Sequence, residues 1–177
     1  MTRLGRMLFV GLVAVQVLVI VGMAAGREST LRQEATDVKL QTVPVDPRDL
    51  FRGDYVVLRY EISTFPTDGV RITTSDVSPG ATVYVALMEG PGGHWTVSDA
   101  ATAPSAGWDR YLRGTVTGVG QGRLDVEYGL EQYFVPEGEG LAVERAFDVD
   151  VVVAIDDAGR GVIRHLVVDG EVWDPYQ

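Results

Sequence analysis

The chain contains no cysteine. That excludes a disulfide framework, a thiolate metal site and a cysteine nucleophile. It also excludes the kind of bacterial lipoprotein whose lipid is attached to a cysteine. Asparagine is missing too, so there is no N-glycosylation acceptor. Lysine is nearly absent: Lys39 stands alone beside fourteen arginines, a bias that reads as coding preference rather than function. Positive charge is scarce overall, with 25 acids against 15 bases in 177 residues and a pI near 4.6. This argues against a nucleic-acid partner, because phosphate binding needs a basic stripe.

What is present is unevenly distributed. The mean hydropathy is slightly positive, +0.09, although the net charge is −10. The two values reconcile through one segment. Residues 7–25, MLFVGLVAVQVLVIVGMAA, form an uncharged run interrupted only by the polar Gln16. As a helix this run spans roughly 28 Å, close to the hydrocarbon thickness of a bilayer. Arg3 and Arg6 precede it and favour a cytoplasmic N-terminus. Ala24-Ala25-Gly26 would suit a signal-peptidase site, which is the competing reading. The long apolar core favours a retained anchor instead, since a signal core is usually about 7–15 residues. All 25 acids and 13 of the 15 bases lie in residues 27–177, which leaves −12 on that part. The expected organisation is a membrane anchor over residues 1–26, a polar stalk over 27–37 and an extracytoplasmic β-rich domain over 38–177.

Beyond the stalk the periodicity is that of strands. Val56, Leu58, Tyr60 and Ile62 alternate with Arg59 and Glu61, which predicts one buried face. Residues 83–88, VYVALM, are apolar on both faces, as in a central strand, and Gly90-Pro91-Gly92-Gly93 turns the chain towards Trp95. Residues 111–117 and 123–128 read as a hairpin joined by the glycine-rich stretch 118–122. Residues 149–155 and 162–168 read as another, around Asp156-Asp157-Ala158-Gly159-Arg160. Asp169-Gly170 allows one more tight turn before Val172 and Trp173. Eight or so short strands at this spacing predict a mainly β fold, a compact antiparallel barrel or sandwich. One short helix is expected over residues 136–147, which open with Pro136 and acids and carry Arg145 near their end.

The best-defined string runs from Pro44 to Tyr60 and contains Gly53-Asp54-Tyr55-Val56-Val57-Leu58-Arg59-Tyr60. Here the chain resembles the GDYXXLXY family of membrane-anchored bacterial proteins, matching it at Gly53, Asp54, Tyr55, Leu58 and Tyr60. The later string from Tyr128 to Gly138 is similar to that family as well. The resemblance implies a membrane anchor and no particular activity. It also implies a membrane partner, because such proteins are often encoded near multi-pass membrane proteins.

Read from the residues alone, the first motif has a structural meaning: Gly53 permits a tight turn, Asp54 accepts nearby N–H groups, and a strand follows. Chemistry is thin. A Ser–Lys dyad of the signal-peptidase kind would have only Lys39 as its base, with no serine in the usual context. A Ser-His-Asp triad would need His94 or His165; the first follows a glycine turn and should be exposed, the second lies in an alternating strand. Asp148, Asp150, Asp156 and Asp157 carry oxygen ligands but lack calcium-loop spacing, and read as a solvated acidic face. No cofactor or metal site is expected. The expected function is a membrane-tethered binding module, with a tethered hydrolase as the alternative. Its candidate interaction surface combines Arg48, Asp49, Arg52 and Asp54 with Tyr133, Glu137 and Glu139; Arg48 and Arg52 either pair with the two glutamates or are solvated separately.

Overall fold

The computed structural model describes residues 11–19, 36–43, 55–72, 75–136, 139–140, 143 and 146–175. The chain divides into two compact units, Met1–Ala35 and Thr36–Gln177. In the first, residues 11–19 are helical and exposed. Among the described residues no helix is long and apolar enough to cross a membrane. The flanking parts of the apolar run, residues 7–10 and 20–25, lie outside the described residues.

The second unit is built from strands. They are β1 (Thr36–Gln41), β2 (Tyr55–Val57), β3 (Thr64–Pro66), β4 (Thr82–Glu89), β5 (Trp95–Ala101), β6 (Arg110–Gly120), β7 (Arg123–Glu127), β8 (Gln132–Phe134), β9 (Val149–Ile155), β10 (Gly161–Val168) and β11 (Glu171–Trp173). One antiparallel sheet has the order β1-β9-β10-β11, a second β3-β7-β6-β4-β5, and β2 pairs with β8 apart from both. A single parallel bridge, Lys39 to His94, joins the edge of the first sheet to the start of β5. The strands therefore wrap into a nearly closed, barrel-like sheet. Bulges at Ala86/Leu87, Val116/Gly118 and Ile163/His165 supply the bends that such wrapping needs.

The core follows the period-two pattern. Val38 and Leu40 of β1, Leu124 and Val126 of β7, and Val151, Val153 and Ile155 of β9 are all buried. Two glycines let the walls approach. A Cβ at Gly161 would fall 2.9 Å from Leu130, 3.0 Å from Val153 and 3.1 Å from Leu112, and one at Gly114 would overlap Val126.

The mainly β expectation holds, with departures in individual strands. The β9–β10 hairpin forms as read, with Val151 paired to Leu166. The β6–β7 hairpin also forms, but β6 continues through the glycines to Gly120. Only Gln121 and Gly122 make the turn, at φ 52° and 72°, as a type I′ hairpin requires. Asp169 and Gly170 do the same at 50° and 86° before β11. The predicted long strand through residue 62 stops at Val57, and a 3₁₀ turn occupies Glu61–Ser63. The parity nevertheless survives: Val56, Leu58, Tyr60 and Ile62 are all buried. The segment stays extended because it changes partners, Leu58 N–H donating to Glu131 C=O and Val43 N–H to Arg59 C=O. β1 begins at Thr36, two residues before the expected Val38, and Asp37 is held there by Arg164 at 2.5 Å. Of the expected helix, Gly140 and Val143 are helical, while residues 137–138, 141–142 and 144–145 lie outside the described residues.

Candidate functional site

The two motif strings meet through their buried aromatic residues. Tyr60 hydroxyl donates to Leu130 C=O at 2.6 Å, and Tyr128 hydroxyl donates back to Ile62 C=O at 2.7 Å. Tyr128 N–H donates to Glu131 Oε1 at 2.6 Å, which closes the turn between them. Burial raises both phenols far above the ordinary tyrosine value, and the Glu131 charge adds to this. They stay neutral donors. Tyr55, with the opposite parity, leaves the core and meets Phe134 edge-on at 6.0 Å between ring centroids. Tyr60 and Tyr128 are thus structural struts.

The struts hold the wall of an open, polar cleft. One lobe, of about 440 Å³, lies between Leu58, Arg59 and Thr64 on one side and Asp125 and Glu127 on the other. A second, of about 450 Å³, continues past Arg113, Thr115 and Gly129 to Arg160. Glu127 and Glu131 line both lobes. Some of these charges have partners: Asp125 accepts the Thr64 hydroxyl at 2.7 Å, and Arg160 pairs with Asp156 at 2.5 Å. Among the described residues no ion pair engages Arg59, Arg113 or Glu127. Neither lobe is lined by histidine or lysine. The cleft offers charged groups and hydrogen-bonding side chains on an open surface.

A second polar cluster lies elsewhere in the domain. Asp150 points outward from β9, yet it is only 3% exposed, because Lys39 of β1 and His94 of the β4–β5 turn cover it. Lys39 Nζ lies 2.7 Å and His94 Nε2 2.9 Å from the same oxygen, Oδ2. The other oxygen, Oδ1, has no hydrogen-bond partner among the described residues. The expected solvated acidic face is therefore corrected at Asp150, which neighbouring strand and turn have buried. His94, expected to be exposed, is half-buried. The lysine considered as a serine-activating base binds a carboxylate instead. The other aspartates of that group serve turns: Asp156 accepts the Ala158 and Arg160 N–H groups at 3.0 and 2.7 Å, while Asp148 and Asp157 are exposed. His165 sits after the β10 bulge, opposite Val152.

Of the residues expected to form one interaction surface, Tyr133 lies in β8 with its ring 6.4 Å from that of Trp173. Glu139 is exposed, and its N–H donates to Pro136 C=O at 3.1 Å. Arg48, Asp49, Arg52, Asp54 and Glu137 lie outside the described residues, and so does their pairing. Arg59 and Glu131, which do flank the cleft, stand within the two motif strings but outside the expected interaction surface. Their alternation with buried neighbours was the signal. Asp150 had no such signal, because its partners are remote in sequence.

Fold and cleft together define a small barrel-like β domain with an open, polar cleft. A family model described as GDYXXLXY protein matches residues 16–166, and the chain belongs to this family. Comparisons with curated proteins and with solved structures each found no match.

Proposed function

We propose that this chain is a membrane-tethered, extracytoplasmic binding module whose motif-lined cleft docks a segment of a membrane or envelope protein. The observation that carries the proposal is the cleft itself, whose wall comes from both motif strings and whose charges Arg59, Arg113 and Glu127 have no ion pair among the described residues. Charges at a cleft rim are suited to partner selection, which complementary charges govern more than they govern stability. The tether is the uncharged run of residues 7–25, of which 11–19 are helical. The cytoplasmic placement of the N-terminus follows from Arg3 and Arg6. A further part of the docking face is Arg48, Asp49, Arg52 and Asp54 with Glu137 and Glu139. Tyr55 pairs directly with Phe134, so the segments leaving these two residues start from the same end of the β2–β8 ladder. Lys39 bound to Asp150 gives the tethered-hydrolase alternative no support.

A photo-crosslinking residue at Thr117, on the cleft floor, tests this in intact cells. The expected result is a discrete adduct with a membrane or envelope protein that is lost with Arg59→Glu. Equal labelling from Thr117 and from exposed Ser98, on β5 away from the cleft, would overturn it. Because the chain has no cysteine, a single cysteine placed at either end reports topology by labelling with an impermeant maleimide. Labelling of Thr2→Cys in intact cells would refute the orientation.

A further inference from the structure

We propose that Lys39 and Asp150 condense to a side-chain amide, a covalent cross-link between β1 and β9. This does not depend on the binding role proposed above. The two strands are antiparallel neighbours with Gln41 opposite Asp150 and Lys39 opposite Val152, so Lys39 and Asp150 are diagonal neighbours on one face. The ammonium nitrogen is 2.7 Å from Oδ2 of a carboxyl group that is 4% exposed. Of the ion pairs among the described residues, this alone uses a lysine; the Arg71, Arg160 and Arg164 pairs use guanidinium groups, which are not nucleophiles. It also employs the only lysine in the chain.

The reaction needs no co-reactant. A proton passes from the Lys39 ammonium to Oδ2, which leaves a neutral amine beside a neutral carboxyl group. Nζ attacks Cγ and the N–C bond forms. The Cγ–Oδ2 bond breaks, and Oδ2 leaves as water carrying two protons that began on the lysine nitrogen. His94, 2.9 Å from that oxygen, delivers the second proton to it and is restored by taking up the proton that Nζ gives up as the amide forms. Oδ1, the buried oxygen without a hydrogen-bond partner, becomes the amide carbonyl. Condensation is unfavourable between free groups in water. Here the reacting groups are held in contact, where effective concentrations reach about 10⁵–10⁸ M, and the Asp150 carboxylate is sheltered from the solvent that would stabilise it, while the Lys39 side chain stays 35% exposed.

The position also makes mechanical sense. β1 is laddered to β9 on one side, while across its other edge the Lys39–His94 bridge is the link to β5. A chain without cysteine has no disulfide with which to fasten this strand. An amide does the same work and resists reduction.

Intact-mass measurement of the full-length protein decides the matter. The expected mass is lower than that of the sequence by one water. Trypsin should then leave residues 33–48 uncut at Lys39 and joined through a branch to residues 146–160. Lys39→Arg, which keeps an ion pair and hence the fold, should have its full sequence mass. His94→Ala should link about 100-fold more slowly, the usual scale of a lost proton-transfer group. A wild-type protein of full mass that is cut at Lys39 would overturn the proposal and leave an ion pair only. Linking of His94→Ala at the wild-type rate would overturn the part given to His94.

Discussion

The tyrosine pair joining the two motif strings and the Lys39–Asp150–His94 cluster both bury polar atoms between segments remote in sequence, but with opposite electrostatics. Tyr60 and Tyr128 each supply a neutral hydroxyl to a backbone carbonyl, and each bond is complete. Before it is linked, Asp150 brings a charge whose two contacts fall on one oxygen and leave the other bare. Neutral, satisfied bonds hold a wall in place with little sensitivity to conditions. A buried charge is tolerated only while its partners remain, so it makes a contact that is costly to break. The motif cleft rests on the first kind, and among the described residues Arg59, Arg113 and Glu127 at its rim have no ion pair.

Several substitutions would break or sharpen this contrast. The largest effect is expected from Lys39→Met, which strands the Asp150 carboxylate with His94 alone. It should cost about 3 kcal/mol, the scale for removing one partner of a buried pair. Urea unfolding measures it, and a loss below about 1 kcal/mol would mean that water already serves the carboxylate.

Tyr60→Phe and Tyr128→Phe should each cost about 1–3 kcal/mol, because a buried carbonyl loses its donor. Their pH signature differs from that of the charged cluster. Both folded-state phenol values are raised above the ordinary 10.0, so the stability they contribute is complete below that pH and declines as pH rises beyond it. Each phenylalanine variant should flatten the alkaline limb of a denaturation curve. Unchanged alkaline unfolding in both would show that the hydroxyls titrate normally.

A smaller effect belongs to the surface aspartates. Burial pushes Asp99 up, but the Arg71 backbone N–H and guanidinium, the Ala100 N–H and the Trp108 indole together hold it below the ordinary 3.8. Asp156 is likewise lowered, its burial outweighed by the Arg160 and Ala158 hydrogen bonds. Depressed carboxylates contribute stability that is present above the ordinary value and lost as pH falls through the folded one. Asp99→Asn should therefore lower the melting temperature at neutral pH and narrow the gap from wild type in acid. A constant gap from pH 5 to 2 would contradict the linkage. Arg71 is half-exposed, so the whole effect should be about 1 kcal/mol.

The smallest change in stability is expected at the cleft. Arg59→Glu and Arg113→Glu should stay within about 0.5 kcal/mol of wild type while partner crosslinking falls. Loss of stability beyond that range would make these arginines structural, like the tyrosines behind them.

Local chemistry in the sequence determined a large part of this molecule. The alternation of Val56, Leu58, Tyr60 and Ile62 marked their burial even though the strand ends early, because parity needs only extended backbone. Asp169-Gly170 and the turn at residues 156–160 marked their hairpins, since positive-φ positions and short loops leave few alternatives. Tertiary structure decided the rest. It ran β6 through Gly118 and Gly120, where Gly118 gives room to the Asp125 side chain from the next strand. It set the strand order, and with it the covering of Asp150 by Lys39 and His94. It also gathered Arg59, Glu127, Glu131 and Arg113 around one cleft. Those outcomes depend on which strands lie side by side, and pairing between distant strands is settled by packing of the whole sheet rather than by any short stretch of residues.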